Sequence, residues 1–201
     1  AGLTAAEIAE AYPGCVVVIK HHVGVLALPS MSRPTDFRTE AGNALDERYN
    51  IGDVGVPQGL VNRTAYNGKT LMTAGDWAGA VQTALEKPLV ARLNLTATRV
   101  DTVGTVTASI LYSQTGSAAD HLTLYLIEDS LIGYQKWYNH TPEDIEDFLH
   151  KDLVRGSLNG NFGEVLSASA PAPGAAFERT YTFAIKPDWN PDRLRIVAVL
   201  H

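Results

Sequence analysis

Residues 53–63 read DVGVPQGLVNR and combine a glycine-rich bend, a Val-Pro dipeptide and an apolar run. Proline cannot donate a hydrogen bond to a sheet ladder, so Pro57 belongs at the first position of a strand or in the turn before it. An X-Pro bond prefers the trans form only weakly, and the order of elements around Val56 and Pro57 favours a cis bond. The stretch is therefore predicted to lead from a bend into a strand through a cis proline.

A hairpin is predicted directly after this proline. Asn67-Gly68 lies between two apolar runs, which is a strong short-range signal for a tight hairpin turn. Residues 58–65 and 69–72 are therefore expected to pair with each other.

Three helices are predicted around the hairpin from their start signals. Thr4 with Glu7 three residues later is a capping box for the first helix. Asp36 is predicted to cap a second helix that runs to about Tyr49, and Asp76 to cap a third helix after the hairpin. The helices would surround the short strands of this part of the chain.

Residues 15–19 read CVVVI, a continuous apolar run that predicts a strand covered on both faces. Cys15, the single cysteine, is expected to be a small buried core residue, since free cysteine is among the most buried residue types. His21 and His22 follow this run. Neighbouring residues of an extended segment point to opposite faces, so both are interpreted as loop histidines at a strand end and not as ligands of one metal ion.

The predicted order of helix, buried strand, helix, proline-entered hairpin and helix resembles the thioredoxin fold without its first strand. That strand would lie between residues 15–19 and the hairpin, and without it buried backbone groups would lack partners. We therefore expect that residues upstream of Ala1 are missing, and the C-terminal end also reads as trimmed. In the thioredoxin superfamily the proline loop faces a Cys-x-x-Cys motif, which would directly precede Ala1.

Downstream of Pro88 the apolar period changes from helical to alternating. Five runs predict half-buried antiparallel strands separated by turns, at residues 93–98, 105–110, 121–127, 180–186 and 194–200. Such spacing predicts a β-sandwich of immunoglobulin type without its disulfide. The predicted fold class is thus α/β plus all-β: a truncated thioredoxin-like domain at residues 1–87 and an immunoglobulin-like β-sandwich at residues 88–201.

One helix is predicted within this second half. Thr141 can cap a helix over residues 142–149, with Pro142 at its first helical position. Three apolar side chains would form one face of this helix. Its four acidic side chains would be solvated and would interact favourably with the dipole at its N-terminus.

The composition excludes several classes of protein. The chain has 201 residues and 45 % hydrophobic residues, which is enough for one or two cores. A net charge of −6 and the lack of a Lys/Arg run argue against a nucleic-acid surface. No apolar stretch approaches the roughly 20 residues of a membrane span. No phosphate loop, zinc helix or nucleophile elbow occurs, so no catalytic residue, metal ligand or cofactor is predicted.

Three motifs in order carry a resemblance to a family. DFRTEAG at residues 36–42, VPQGLVNR at 56–63 and RGSLNGNFG at 155–163 resemble the outer membrane protein 28 family of Gram-negative anaerobes. The resemblance covers nearly the whole chain. It implies a thioredoxin-like domain followed by an immunoglobulin-like sandwich, in an exported protein on the periplasmic or cell-surface side of the outer membrane. The sequence leaves lipid anchoring, as a lipoprotein, open.

Three functional hypotheses follow. The first is a non-catalytic protein that binds other proteins or surface components, because no catalytic constellation is visible. The second is a thiol-disulfide oxidoreductase whose Cys-x-x-Cys lies upstream of residue 1 and faces Val56 and Pro57. The third is a homo-oligomer formed through exposed edge strands of the sandwich. Whether the protein is an enzyme is left open, with the cysteine count favouring the first hypothesis.

Two short patterns resemble acceptor sites for O-glycosylation in exported proteins of this bacterial group. They are Asp101-Thr102-Val103 and Asp129-Ser130-Leu131, with Thr102 and Ser130 as the acceptors. Ser and Thr after Asp are equally typical of turns, so both interpretations remain open.

Overall fold

The computed structural model describes residues 1–138 and 140–201. Helices occupy the first part of the chain and strands the second, and all strand pairs are antiparallel. The α-helices of the described residues are α1 (Gly2–Ala11), α2 (Glu40–Tyr49), α3 (Ile51–Val54) and α4 (Ala74–Leu85). The strands begin with β1 at Ala91, so the change from helix to strand falls where the sequence predicts it.

All three predicted helix caps are wrong, although the helices themselves exist. α1 begins after Ala1 without a side-chain cap, so Thr4 lies inside the helix. α2 begins later than predicted, because Thr39 accepts the capping hydrogen bond from the Gly42 N–H at 3.1 Å. Asp36 instead binds Arg38. Thr73 rather than Asp76 occupies the cap position of α4.

The turn of the predicted hairpin is present, but its two strands are reduced to isolated bridges. Asn67 and Gly68 both have positive φ, 49° and 78°, which is the conformation of a tight type I′ hairpin turn. Single backbone bridges join Tyr66 to Lys69 and Gly59 to Met72. Thus the turn agrees with the prediction, whereas continuous strands do not develop on its two sides.

The strand predicted at residues 15–19 does not form. Cys15 is exposed rather than buried, and the segment has no ladder with another strand. Only Lys20 bridges to Leu153: its N–H donates to the Asp152 carbonyl at 2.8 Å, and its carbonyl accepts from the Val154 N–H at 3.0 Å. The run therefore forms no sheet in the first half, and only its end at Ile19 and Lys20 contacts the second half of the chain.

Strands in the described residues form three sheets. The bounds are β1 (Ala91–Val100), β2 (Val103–Tyr112), β3 (His121–Glu128), β4 (Leu131–Lys136), β5 (Asp144–His150), β6 (Leu153–Ser157), β7 (Glu164–Val165), β8 (Ala176–Ala184) and β9 (Leu194–Leu200). The first sheet has the order β1-β2-β8. In the second sheet β3 pairs with β9 on one edge and with β6 and β7 in succession, and the third sheet is the β4-β5 hairpin.

The first two sheets enclose the main core. Its buried members are Val106, Ala108, Ile110, Tyr112, Leu122, Leu124 and Leu166. They come from β2, from β3 and from the residue after β7, so the inner faces of the two sheets meet. This arrangement agrees with the alternating pattern that predicts these strands.

Strand β3 is buried on both faces, whereas the sequence analysis predicted a half-buried strand. A second core joins Tyr125 and Ile127 of β3 to Val154 of β6 and Ala41 of α2. Ile19 packs against the same cluster. The second sheet thus lies between the first sheet and the N-terminal part of the chain, which explains the nearly continuous apolar sequence of β3.

The helix predicted over residues 142–149 is wrong, because Asp144–His150 form strand β5. As a strand, β5 places its acidic side chains beside one basic residue of β4 and one of the first part of the chain. Asp144 lies 3.3 Å from Lys136 Nζ, and Glu146 lies 2.7 Å from an Arg33 guanidinium nitrogen. Tertiary partners therefore override the local helix signals.

The glycine-rich segment 155–163 completes the edge of β3 between β6 and β7. The side-chain oxygen of Asn159 accepts a hydrogen bond from the Leu124 N–H at 2.9 Å, and its amide nitrogen donates to the Leu122 carbonyl at 2.7 Å. Gly163 has φ +72°, and a Cβ atom there would collide with the Leu122 carbonyl oxygen. The sequence suggests no chemistry for this motif. In the structure its Asn159 side chain makes hydrogen bonds to β3 that a neighbouring strand would otherwise make.

Candidate functional site

A cleft of about 440 Å³ opens to solvent between the loop after Gly24 and helix α2. The residues that line it are Gly24, Val25, Leu28, Arg38, Asn43, Asp46, Glu47, Asn50, Gly52 and Asp53. One wall is the loop, and the opposite wall consists of α2, α3 and the turn between them.

Two backbone positions set the shape of this cleft. Gly24 has φ +70°, and a Cβ atom there would lie 3.8 Å from the Asp46 carboxylate. Asp46 also accepts a hydrogen bond from the Gly52 N–H at 2.7 Å, which connects α2 to the start of α3. Asn50 joins the two helices in the left-handed conformation, which Asn tolerates better than most residues.

The lining of the cleft is acidic. Arg38 donates hydrogen bonds to both carboxylate oxygens of Asp36, at 3.0 and 2.7 Å, and this side-chain contact with Arg38 lowers the pKa of Asp36. Asp46, Glu47 and Asp53 form no ion pair within the described part of the chain. The one guanidinium of the lining is thus already paired, while three carboxylates face solvent or the cleft.

Exposed aliphatic side chains border the cleft. Val25 and Leu28, which line the cleft, are 78 % and 53 % exposed, and Leu26 and Met31 in the same loop are exposed as well. Val54, directly after Asp53, is exposed as well. The sequence analysis assigned no functional residue to this segment. The signal that could have identified it is the presence of several large aliphatic residues where no strand or helix can bury them.

The predicted proline loop starts beside the cleft in sequence. Asp53 lines the cleft, and Val56 and Pro57 follow it as exposed residues joined by a cis bond. Cys15, the single cysteine, lies in the turn after α1. The role of Val56 and Pro57 as a loop facing a redox motif stays a prediction.

Histidine and aromatic side chains cluster where the two halves of the chain meet. The His22 ring centroid lies 5.4 Å from that of Phe37 and 5.0 Å from that of His150. Burial, followed by the charges of His150 and Lys20, lowers the pKa of His22 to about 4. Burial also lowers the pKa of His150, whose Nε2 has no hydrogen-bond partner among the described residues. The cluster is therefore neutral at pH 7.

His21 contacts a different element from His22, as expected for neighbours on an extended segment. Its ring lies edge-on to Tyr125 at 5.3 Å, and burial, with the nearby charge of Arg63, lowers the pKa of His21 to about 4. Arg63 donates to the Tyr125 hydroxyl at 2.5 Å and lies 2.5 Å from His201 Nε2. The histidines are thus packed between the halves of the chain rather than placed on a free loop.

The two candidate glycosylation residues lie in turns. Thr102 is exposed in the β1–β2 turn, after Asp101 with φ +52°. Ser130 is half-buried between β3 and β4 with φ +62°, and its carbonyl accepts a hydrogen bond from Arg193 at 2.9 Å. Thr102 is therefore the more accessible hydroxyl, and modification of either residue stays a prediction.

The described residues contain neither a candidate metal site nor a helix that could span a membrane. No group of three or more His, Cys, Asp or Glu side chains there is arranged to hold a metal ion. None of the helices in residues 1–138 and 140–201 is both long enough and apolar enough to cross a membrane.

The comparison with known families gives one match. The family model of outer membrane protein Omp28 matches residues 43–201, which include most of α2 and all the strands described above. No curated protein and no solved structure matches the chain. The helical wall of the cleft from Asn43 onward lies inside the matched region, and the loop at residues 24–28 precedes it. The family resemblance seen in the sequence is therefore confirmed, and the chain belongs to the Omp28 family of outer membrane proteins.

Proposed function

We propose that this protein is a non-catalytic binding protein of the bacterial outer membrane whose cleft holds an extended peptide segment with apolar and basic side chains. The observation that carries the proposal is an acidic cleft bordered by exposed aliphatic side chains of residues 25–28. Folded proteins rarely expose neighbouring aliphatic groups except where they interact with another molecule. The open shape of the cleft suits a chain segment better than an enclosed small molecule.

The aliphatic border would supply most of the affinity. Full burial of one aliphatic side chain contributes roughly 1.5–3 kcal/mol, so Val25 and Leu28 together contribute several kcal/mol before the cost of association is subtracted. The carboxylates of Asp46, Glu47 and Asp53 would attract basic partners and disfavour acidic ones. Affinity would thus come from apolar contact and selectivity from charge.

We also propose the architecture implied by the family: a thioredoxin-like module at residues 1–87 and an immunoglobulin-like sandwich at 88–201. The change from helices to antiparallel strands between Leu85 and Ala91 and the facing sheets of the second half support it. An experimental structure of the full-length protein tests this assignment. A continuous sheet shared equally by both halves would contradict it.

Fluorescence anisotropy with a labelled peptide of alternating leucine and lysine tests the cleft. We expect binding that weakens as salt is added, because exposed charges are screened. Glu47→Gln combined with Asp53→Asn should weaken binding roughly two- to fivefold, since exposed charge pairs contribute up to about 1 kcal/mol. Leu28→Ser should have a larger effect because it removes apolar contact in the cleft lining.

Matched controls lie on other surfaces. Glu10→Gln with Glu86→Gln removes two exposed charges elsewhere, and Leu3→Ser removes an exposed leucine of α1. Neither should change binding, and a peptide of alternating leucine and glutamate should not bind. Equal binding of the two peptides, or equal effects of the cleft and control variants, would contradict the proposal.

Two further measurements separate the remaining hypotheses. Insulin reduction by the full-length protein, compared with Pro57→Ala, tests the thiol-disulfide alternative; turnover would favour an enzyme over a binding protein.

Cell fractionation, with antibody labelling of intact cells, tests the outer membrane location and distinguishes its periplasmic side from its surface side. Recovery in the cytoplasmic fraction would contradict an exported protein.

A further inference from the structure

The edge of strand β1 is open along its length. β1 has ten residues, eight of them exposed, and within the described residues its one partner strand is β2. The pairing of β1 with β2 continues from Ala91 to Val100 without a bulge, and no proline interrupts it. A long, regular edge with unpaired backbone groups is a template for pairing with another strand.

The backbone groups at this edge can be assigned from hydrogen bonds of β2. The Tyr112 N–H donates to the Ala175 carbonyl at 2.9 Å, and the Tyr112 carbonyl accepts from the Gly174 N–H at 2.8 Å, so both groups of Tyr112 point away from β1. Tyr112 lies opposite Ala91. Because backbone groups alternate sides along a strand, the residues whose N–H and C=O point to the open edge are Ala91, Leu93, Leu95, Ala97 and Arg99.

The side chains of β1 are suited to a neighbouring strand. Asn94, Thr96 and Thr98 form a neutral polar outer face, which continues into the contact between the Thr107 and Thr180 hydroxyls at 2.9 Å. On the opposite face Leu93 and Ala97 remain exposed although they point to the core side. A neighbouring strand would cover both of these apolar side chains.

The opposite edge of the same sheet is less suitable. Along β8, Arg179 donates to the Leu166 carbonyl at 3.1 Å, and the Tyr181 hydroxyl donates to Glu164 at 2.6 Å. These contacts connect β8 to residues 164–166 of the second sheet. The alternating burial of β8 also contrasts with the exposure of β1.

We infer that β1 pairs antiparallel with β1 of a second copy of this chain, about a two-fold axis through Leu95. The result is a six-stranded sheet of order β8-β2-β1 continued by β1-β2-β8 of the second copy. This interface is isologous, so both copies use the same surface and the assembly closes as a dimer. The sequence analysis predicted self-association through edge strands without naming a strand, and this inference names β1. The β1 edge and the cleft are separate surfaces, so the inference does not depend on the cleft.

Backbone hydrogen bonding selects this register. With Leu95 opposite Leu95 of the second copy, every edge-directed residue faces another edge-directed residue, so each pair exchanges two backbone hydrogen bonds. Arg92 then faces Thr98 of the second copy. A slip by one residue would place edge-directed residues opposite residues that already bond to β2, and a slip by two would leave one of the five edge-directed residues of each copy unpaired. Arg99 also forms an ion pair with Asp192 at 3.4 Å, which reduces its free charge.

The size of the contact predicts a weak dimer. An edge-to-edge contact buries less than the roughly 1,200 Å² of a stable standard interface. Light scattering and sedimentation should therefore show a reversible monomer–dimer equilibrium that shifts to dimer as concentration rises. A monomer at every accessible concentration would overturn the inference.

Cysteine cross-linking tests the register. In a Cys15→Ser background, Asn94→Cys combined with Thr96→Cys places each cysteine opposite the other on the second copy, with Cα atoms about 4.5 Å apart in a non-hydrogen-bonded pair. Mild oxidation should convert at least several times more protein to covalent dimer than in the mismatched pair Asn94→Cys with Thr98→Cys. Equal cross-linking of both pairs would indicate random collision and overturn the register.

Ala97→Pro tests the role of the backbone. The Ala97 N–H points to the open edge, so proline removes a donor for the second copy without removing a bond to β2. Dimerisation should weaken about tenfold or more, with the far-ultraviolet circular dichroism unchanged. An undiminished dimer in this variant would contradict pairing through β1. Should the variant fail to fold, the cross-linking comparison above still decides the outcome.

Discussion

The first ninety residues and the last 111 differ in how their extended segments satisfy backbone hydrogen bonds. In the second part, β1, β2 and β8 and the strands around β3 form continuous ladders. In the first part, the described extended segments make isolated bridges, one of them from Lys20 to Leu153 of the second part. The second part therefore has its own core and ladders, while the first part packs on it through Ile19, Lys20 and Ala41. Disturbing β3 should therefore affect the whole chain, and disturbing the first part should act locally.

The largest expected effect comes from the buried ion pair at the end of β3. Glu128 is 1 % exposed, lies 3.2 Å from Arg155 Nε and accepts a hydrogen bond from the Asn190 N–H at 2.8 Å. Glu128→Ala should reduce the free energy of unfolding by about 3–5 kcal/mol, because it leaves the mostly buried Arg155 with only the exposed Asp188 as a partner and removes the acceptor of the Asn190 N–H. Urea denaturation measures this, with Glu178→Ala on the exposed face of β8 as the control. A loss no larger than that of the control would contradict a separate stable core in the second part.

Asn159→Ala should have the next largest effect. Two buried backbone groups of β3, at Leu122 and Leu124, would lose their partners, and each unsatisfied group costs about 1–3 kcal/mol. The free energy of unfolding should therefore fall by about 2–4 kcal/mol in urea denaturation. Asn161→Ala in the same segment is the control and should change it little. Equal effects of the two substitutions would show that the side-chain contacts of Asn159 are not what holds this edge.

Arg63→Ala tests the dependence of the first part on the second. Arg63 connects the proline loop to Tyr125 and His201, so its loss should cost about 1–3 kcal/mol. Hydrogen exchange should show faster exchange in α2 and the residues around Met72, with protection of β2 and β3 retained. Uniform loss of protection in both parts would contradict a separable first part.

Acidification should weaken the same junction. The pKa of His22 falls from 6.5 to about 4 on folding, so between these values the unfolded chain binds a proton that the folded chain does not. This contribution to stability is fully present above pH 6.5 and is lost as the pH falls through the window down to about 4. His22→Gln should reduce the slope of unfolding free energy against pH by up to about 1.4 kcal/mol per pH unit.

The control for this slope is a change of packing without a titrating group. Phe37→Leu removes part of the ring contact with His22 and should lower stability at all pH values while leaving most of the slope. Urea denaturation at several pH values between 4.5 and 7.5 measures both variants. An unchanged slope in His22→Gln would show that His22 does not carry the pH dependence.

The lining of the cleft could be predicted only in part from the local sequence. Asp53 belongs to the stretch that the sequence analysis singled out, but its meeting with Val25 and Leu28 across the cleft depends on how the loop folds against α2. The acidic residues of β5 were likewise interpreted from their neighbours in sequence. Their basic partners, Lys136 and Arg33, come from another strand and from the first part of the chain.

Local sequence was enough to predict the features that depend on neighbouring residues: the left-handed turn at Asn67-Gly68, the existence of α2 and the alternating strands β1 and β2. Turn chemistry and side-chain periodicity act over a few residues, so they are readable without a structure. Three features could be seen only in the folded chain: the exposure of Cys15, the burial of β3 on both faces and the strand at residues 144–150. These outcomes depend on which distant groups compete for the same surface, and the free energy of those contacts exceeds local propensity.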